Sequence, residues 1–333
     1  MLEGRDTLPA LWGRVVRGPV CAVALSVGLG ACVPFTTTQS PPVAPTVPSA
    51  PAPEPAAPAT EIETRAPRSG AIAAHFQRIE EQRLADGLLR TDPRPADLPF
   101  AARDLEEVFV RVALHDEYTF VGNRLLEQET PAPLRRWRVP VGMRLEFGDS
   151  VPAAMRRADT RLVSGFAARL AALTDHPVSL TSGGANFHIL VLDEAERRAI
   201  GPRLRNLVPG IDQVTENIVT DLPLSVSCLV LAFSRSGTDI YTDAVAIIRA
   251  ELPDLSRMAC YHEELAQGMG LPNDSPRARP SLFNDAAEFA VLTDMDEYLL
   301  RILYDPRLRP GIREREARPI LRQIASEVLG GQS

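Results

Sequence analysis

The sequence predicts a mixed α/β (α+β) fold in a single domain of about 260 residues, behind an N-terminal stretch that belongs to no core. Three observations carry this expectation. Helical apolar periods alternate with short strand-like runs, the rhythm of helices packed on a sheet. Of 333 residues, 45% are hydrophobic and 24% charged, which is enough to bury a core and excludes wholesale disorder. Ten of the thirty prolines crowd between Val33 and Arg68, so the core must begin after them.

Taken in order, Ile72, Phe76, Ile79, Leu84 and Leu88 recur at helical spacing and predict a helix over Ile72–Arg90, ended by Thr91-Asp92-Pro93. Leu105, Val108, Phe109 and Val112 predict a second over Asp104–Ala113. Trp137–Phe147 alternates as a strand, and Ala153–Leu173 is amphipathic with arginines on its polar side. Pro177–Leu180 and Asn186–Leu192 are expected as strands around the Ser182-Gly183-Gly184 turn, and Glu194–Leu207 as a short helix. Ser225–Ser234 and Thr242–Ala250 are strands in a hairpin-like pair. Leu255–Gly268 and Thr293–Tyr304 close the series as helices. The second opens on Thr293-x-x-Asp296, a capping-box start whose acid suits the helix dipole. A helical tail covers 313–333, and there is no internal repeat.

All 36 basic residues are arginine. With no lysine, Schiff-base catalysis and a P-loop are excluded. A formal net charge of −7 argues against a nucleic-acid partner.

The N-terminus is expected to be a targeting segment. Arg5, Arg14 and Arg17 precede an uncharged run from Val20 to Ala31, about a dozen residues, too short to span a bilayer and right for a signal-peptide core. Its end, Leu29-Gly30-Ala31-Cys32, resembles a bacterial lipobox. That resemblance implies a signal peptide over 1–31 and a lipidated Cys32 anchoring the chain in a lipid bilayer. Val33 after the cysteine, rather than aspartate, favours the outer membrane, with the folded part facing the periplasm or exposed at the surface. Residues 32–69 are expected to form a disordered Pro/Ala-rich tether, on the order of 110 Å if fully extended as polyproline. Of the four cysteines, Cys21 and Cys32 are thereby assigned. Cys228 and Cys260 remain, either paired in a disulfide or as two buried thiols.

One stretch carries a chemical signature: Glu263-Glu264-Leu265-Ala266-Gln267-Gly268-Met269-Gly270-Leu271-Pro272-Asn273-Asp274. It resembles the metzincin zinc-protease pattern H-E-x-x-H-x-x-G-x-x-H, with Glu264 at the general-base position and Gly270 at the glycine. Glu263, Gln267 and Asn273 stand at the three histidine positions. Ser281-Leu282-Phe283-Asn284 resembles the methionine-turn region, with Phe283 where methionine would sit. The resemblance implies a zincin-like domain with a degenerate active-site helix. Without histidines no zinc, other metal or cofactor is expected, and Glu263, Gln267 and Asn273 are expected to converge as a hydrogen-bonded cluster instead. Adjacent on a helix, Glu263 and Glu264 point about 100° apart and are not expected to face each other alone.

The chain also resembles the bacterial lipoproteins that carry the domain of unknown function 2927. The resemblance rests on Ala113-Leu114-His115-Asp116-Glu117-Tyr118, Arg136-Trp137-Arg138-Val139-Pro140, the Cys260–Asp274 stretch and Tyr304-Asp305-Pro306-Arg307. It implies a domain over 103–312, preceded by a helical extension over 70–102, and no known reaction. The function expected is therefore a non-catalytic module that binds a peptide or an envelope protein. The alternative is an envelope hydrolase of peptide or peptidoglycan with Glu264 as general base.

Overall fold

In a computed structural model that describes residues 59–121 and 124–330, helices flank a mostly parallel sheet. Two helices open the chain, α1 (Ala59–Ala85) and α2 (Ala102–Ala113). A hairpin follows, β1 (His115–Val121) and β2 (Arg124–Pro131), and then β3 (Arg136–Trp137) and β4 (Val141–Phe147). Next come α3 (Ala153–Thr174), β5 (Val178–Leu180) and β6 (Phe187–Leu192). Three short helices, α4 (Glu194–Arg198), α5 (Gly201–Leu207) and α6 (Gln213–Thr220), lead to β7 (Cys228–Ser234) and β8 (Ile240–Arg249). Helices α7 (Asp254–Gly270), α8 (Asp294–Tyr304) and α9 (Glu314–Gly330) complete it. The expected signal segment and Cys32 lie outside the described residues, as does the tether up to Pro58. No helix among the described residues is long and apolar enough to cross a membrane.

The sheet runs β3-β8-β6-β4-β5, all parallel, and β7 joins β8 antiparallel. Strands β6 and β8 are buried along most of their length. That is why they read as apolar runs and sit in the middle, covered on both faces. Paired to β8 only, β7 is an edge strand.

Several boundaries differ from the sequence expectation. Helix α1 starts at Ala59, inside the stretch assigned to the tether, because Ala, Glu and Arg between Pro58 and Pro67 are good helix formers. The expected strand Trp137–Phe147 is two strands. β3 pairs with β8 while β4 pairs with β5 and β6, and Pro140, lacking an N–H, stands where the chain changes partners. The expected helix over 194–207 breaks at Ala199–Ile200 into α4 and α5, each with its own start. The β1–β2 hairpin and α6 had no clear sequence signal.

Helix α7 is fixed at both ends. Near its start, Arg257 and the Tyr261 hydroxyl both bond Asp159 of α3, at 3.0 and 2.9 Å, in a buried cluster. Near its end, the Trp137 indole N–H donates to the Gly268 carbonyl at 2.8 Å. A Cβ at Gly268 would lie 2.4 Å from the Phe187 ring, so only glycine lets the helix approach the sheet this closely.

Candidate functional site

Cys228 and Cys260 are joined in a disulfide, Cα atoms 5.9 Å apart, tying the start of β7 to α7. Beside this bridge a cavity of about 220 Å³ opens between α7 and the segment leading into β7. Glu263, Glu264, Gln267, Asp274 and Glu117 line it, with Ser225–Leu229 on one wall.

The sequence expectation for this cluster holds in part and fails in part. Glu263 and Gln267 do share the cavity-facing side of α7, as a spacing of four requires. Gly270 does end the helix, at φ +130°, where a Cβ would sit 2.3 Å from the Arg135 carbonyl oxygen. Asn273, however, does not swing back to Gln267. Its side chain donates to the Arg111 carbonyl at 2.8 Å, and its backbone N–H to that of Val112. Both carbonyls belong to the last turn of α2, which lacks intrahelical partners, and Asn273 satisfies them. Asp274 takes the expected place, accepting from the Gln267 amide at 3.0 Å and sharing a hydrogen bond with Glu263.

Glu263 and Glu264 also come closer than two adjacent helical residues were expected to. Their carboxylate oxygens and the Cys228 sulfur all lie within 4.8 Å of one another. Long side chains bend toward a common point that the backbone vectors alone do not define. One Glu264 oxygen accepts from the backbone N–H of Val230 on β7. The other, Oε2, is buried and has no hydrogen-bond partner, in a residue only 4% exposed.

The electrostatics follow from burial and crowding. Desolvation, then the charges of Asp274 and Glu264, push the Glu263 carboxyl well above the usual carboxylate range. Desolvation, then Asp274 and Glu117, do the same to Glu264. Asp274 is pushed up to about 6 by burial, although its hydrogen bonds to Glu263 and Gln267 act the other way. Asp274 and Glu117 are the site residues that sequence reasoning missed. Asp274 is one position past the metzincin frame. Glu117 lies at a register shift between Asp116 and Tyr118 in the β1–β2 hairpin, the kind of bulge that re-aims a side chain.

The zinc that the metzincin resemblance implies does not fit these residues. The Gln267 amide is engaged with Asp274, Asn273 faces α2, and the Cys228 sulfur is held in a disulfide, so no thiolate is offered. His262, the histidine next to the motif, faces away. It stacks on Phe166 and accepts the Leu292 N–H, and burial followed by the Arg169 charge pushes it down to about 3. What remains is a set of carboxylates without imidazole.

The profile of the family described as "Protein of unknown function (DUF2927)" matches residues 102–323. The chain belongs to the DUF2927 family. The match runs from the first residue of α2 into α9, so it takes in the cavity, the sheet and the helix that carries Glu263 and Glu264. No curated protein and no solved structure matches the chain.

Proposed function

We propose that this DUF2927 protein is an envelope-anchored binding module of zincin-like ancestry, which takes an extended segment of a peptide or partner protein into the cleft between β7 and α7. The observation that carries the reading is the orientation of β7. Val230 gives its N–H to Glu264 and not to β8, so in an antiparallel ladder the backbone groups of Cys228, Val230 and Ala232 all point outward. An edge so placed beside a cavity is the geometry of strand addition, which needs no metal. Zincin-like ancestry is supported by the arrangement: among β4–β8 the antiparallel strand is the edge strand, and α7 with its Glu-rich motif follows at once. The anchor is Cys32, lipidated and inserted in the bilayer, with the tether holding the domain off the membrane on its periplasmic side.

The test is selection of binders from a library of extended peptides, followed by hydrogen exchange of the complex. Bound peptides should slow exchange at the Ala232 amide, and Ser227→Trp, which fills the cleft wall, should abolish capture. Selected peptides that protect a face remote from β7 and α7 would sink the reading.

One observation favours the alternative, an envelope hydrolase. Glu264 is a buried carboxyl of raised pKa at the edge of a cavity, the condition of a general base. The readings separate on Glu264→Gln, which should end hydrolysis of a selected peptide or of peptidoglycan while leaving capture intact. Peptide capture without turnover in the unaltered chain supports the binding module.

A further inference from the structure

We infer that residues 80–92 are a strap latched over the cavity: they hold its wall in place through a strained backbone junction, and their release opens it. The strap lies ahead of the residues that carry the family match, 102–323, yet it supplies part of the site. Arg83 and Leu89 line the cavity, together with Asn284, Asp285, Ala287 and Phe289 of the loop that the strap grips. The grip has two points. The Glu80 carboxyl accepts the Ser256 N–H at 2.8 Å and the Ser256 hydroxyl at 2.7 Å. Ser256 stands in the first turn of α7, whose N-cap, Pro253, makes no side-chain bond, so the strap caps the helix that carries Glu263 and Glu264. Farther on, the Leu89 N–H donates to the Ala287 carbonyl at 3.0 Å and the Arg90 N–H to that of Glu288 at 2.8 Å. The Ala290 N–H donates back to the Arg90 carbonyl at 2.8 Å, and the Arg90 guanidinium covers the Phe289 ring at 4.9 Å.

Two observations mark this junction as a latch and not as part of the core. Leu89 and Ala287, bonded to each other, both hold left-handed backbone, at φ +56° and +53°. Among the described residues only Asp175 joins them as a residue other than glycine at positive φ. A Cβ disfavours that region, and residues forced into it gather at clamps and switches, where their neighbours hold them. The second observation is packing. Leu89 sits with Ala259 and Ala290 in a small apolar cluster separate from the main core, the build of a unit that opens by itself. The ends of the strap are fixed. Phe76, one turn before Glu80, is buried in the main core, and the Pro93 carbonyl accepts the Asp294 N–H at 2.8 Å. The strap therefore lifts between two held ends. Lifting removes Arg83 and Leu89 from the wall, uncaps α7 and frees the loop that carries Asp285 and Phe289. The device belongs to the cavity itself and stands whether the cavity captures a peptide or cleaves one.

The experiment follows hydrogen exchange of the full chain at the Ser256, Leu89, Arg90 and Ala290 amides. Beside it runs the rate at which dithiothreitol reduces the bridge between Cys228 and Cys260, both of which line the cavity. In the parent the four amides should exchange faster than those of the central strands β6 and β8, as a local opening requires. Glu80→Ala should speed exchange at Leu89, Arg90 and Ala290, none of which it bonds, by about fivefold, and should speed reduction by a similar factor. Ala287→Gly relieves the strain and leaves every bond of the latch, so it should slow both by about threefold. Glu81→Ala removes only an exposed bond to Gln77 and should change neither. Unaltered exchange in β6 and β8 verifies that each variant is folded. Latch amides that exchange only as fast as the central strands would overturn the inference. So would acceleration in Glu80→Ala confined to Ser256, faster exchange in Ala287→Gly, or a reduction rate that neither change alters.

Discussion

The side chains of Glu263 and Asp274 share a hydrogen bond, although one sits on α7 and the other beyond the helix end. Two carboxyl groups bond each other only when a proton lies between them, and burial beside Glu264 keeps that proton in place. The site is therefore strained by its own charge near neutral pH. In Asp274→Asn, the new amide can donate to Glu263 while its oxygen still accepts from Gln267. The variant should be more stable than the parent, by about 1–3 kcal/mol at pH 7.5. Urea unfolding measures the difference, and a destabilised variant would contradict the account.

A second ionic cluster behaves in the opposite sense. Burial pushes the Glu194 carboxyl up, but hydrogen bonds from Arg197, Arg249 and Arg198 outweigh it and hold the pKa at about 2, below the usual 4.5. A depressed carboxylate contributes its stability above the unfolded pKa and loses it as pH falls through the folded one. Stability should thus drop between about pH 4.5 and pH 2, by up to about 3 kcal/mol. In Glu194→Gln that acid-dependent slope should be flatter, as urea midpoints across this range will report.

Gly270 is the backbone hinge of the site. Alanine there would meet the Arg135 carbonyl at 2.3 Å and would have to adopt φ +130°. Gly270→Ala should cost at least about 2–3 kcal/mol. It should also shift Asp274 away from the Gln267 amide that donates to it, alongside the lower Tm.

The disulfide closes a loop with a sequence separation of 32 between Cys228 and Cys260. In the chain-entropy account such a loop contributes about 3–4 kcal/mol. Reduction, or the paired change of both cysteines to serine, should lower the urea midpoint accordingly. Two alkylatable thiols in the unreduced, denatured chain would show that the bridge is not formed.

Anchoring is tested in the cell. Cys32→Ala should move the protein from the membrane fraction to the soluble envelope fraction, and mass spectrometry should find lipid on Cys32 of the parent. A variant still sedimenting with membranes would remove the lipid-anchor reading.

The sequence by itself determined the secondary structure wherever burial is one-sided and periodic. The stripe Leu105, Val108, Phe109 and Val112 became α2, and the Thr293–Asp296 pair became the capping box of α8. The apolar runs around Phe187 and Ala244 became central strands because only strands buried on both faces carry such runs. It also determined which helix carries the acids and that Gly270 ends it. What it left open was every relationship set by neighbours far along the chain. Asn273 reads as the third ligand of a metal motif until α2 is packed beside it, and then the unpaired carbonyls of Arg111 and Val112 claim it. Asp274 and Glu117 join the site only through a turn and a bulge, whose directions depend on backbone dihedrals and not on residue spacing. The closeness of Glu263 to Glu264 was equally invisible, because spacing gives the angle between two Cβ vectors while the tertiary cavity decides where the carboxylates end. Local periodicity writes elements into a sequence. A site assembled from separate pieces of backbone exists only once those elements are packed.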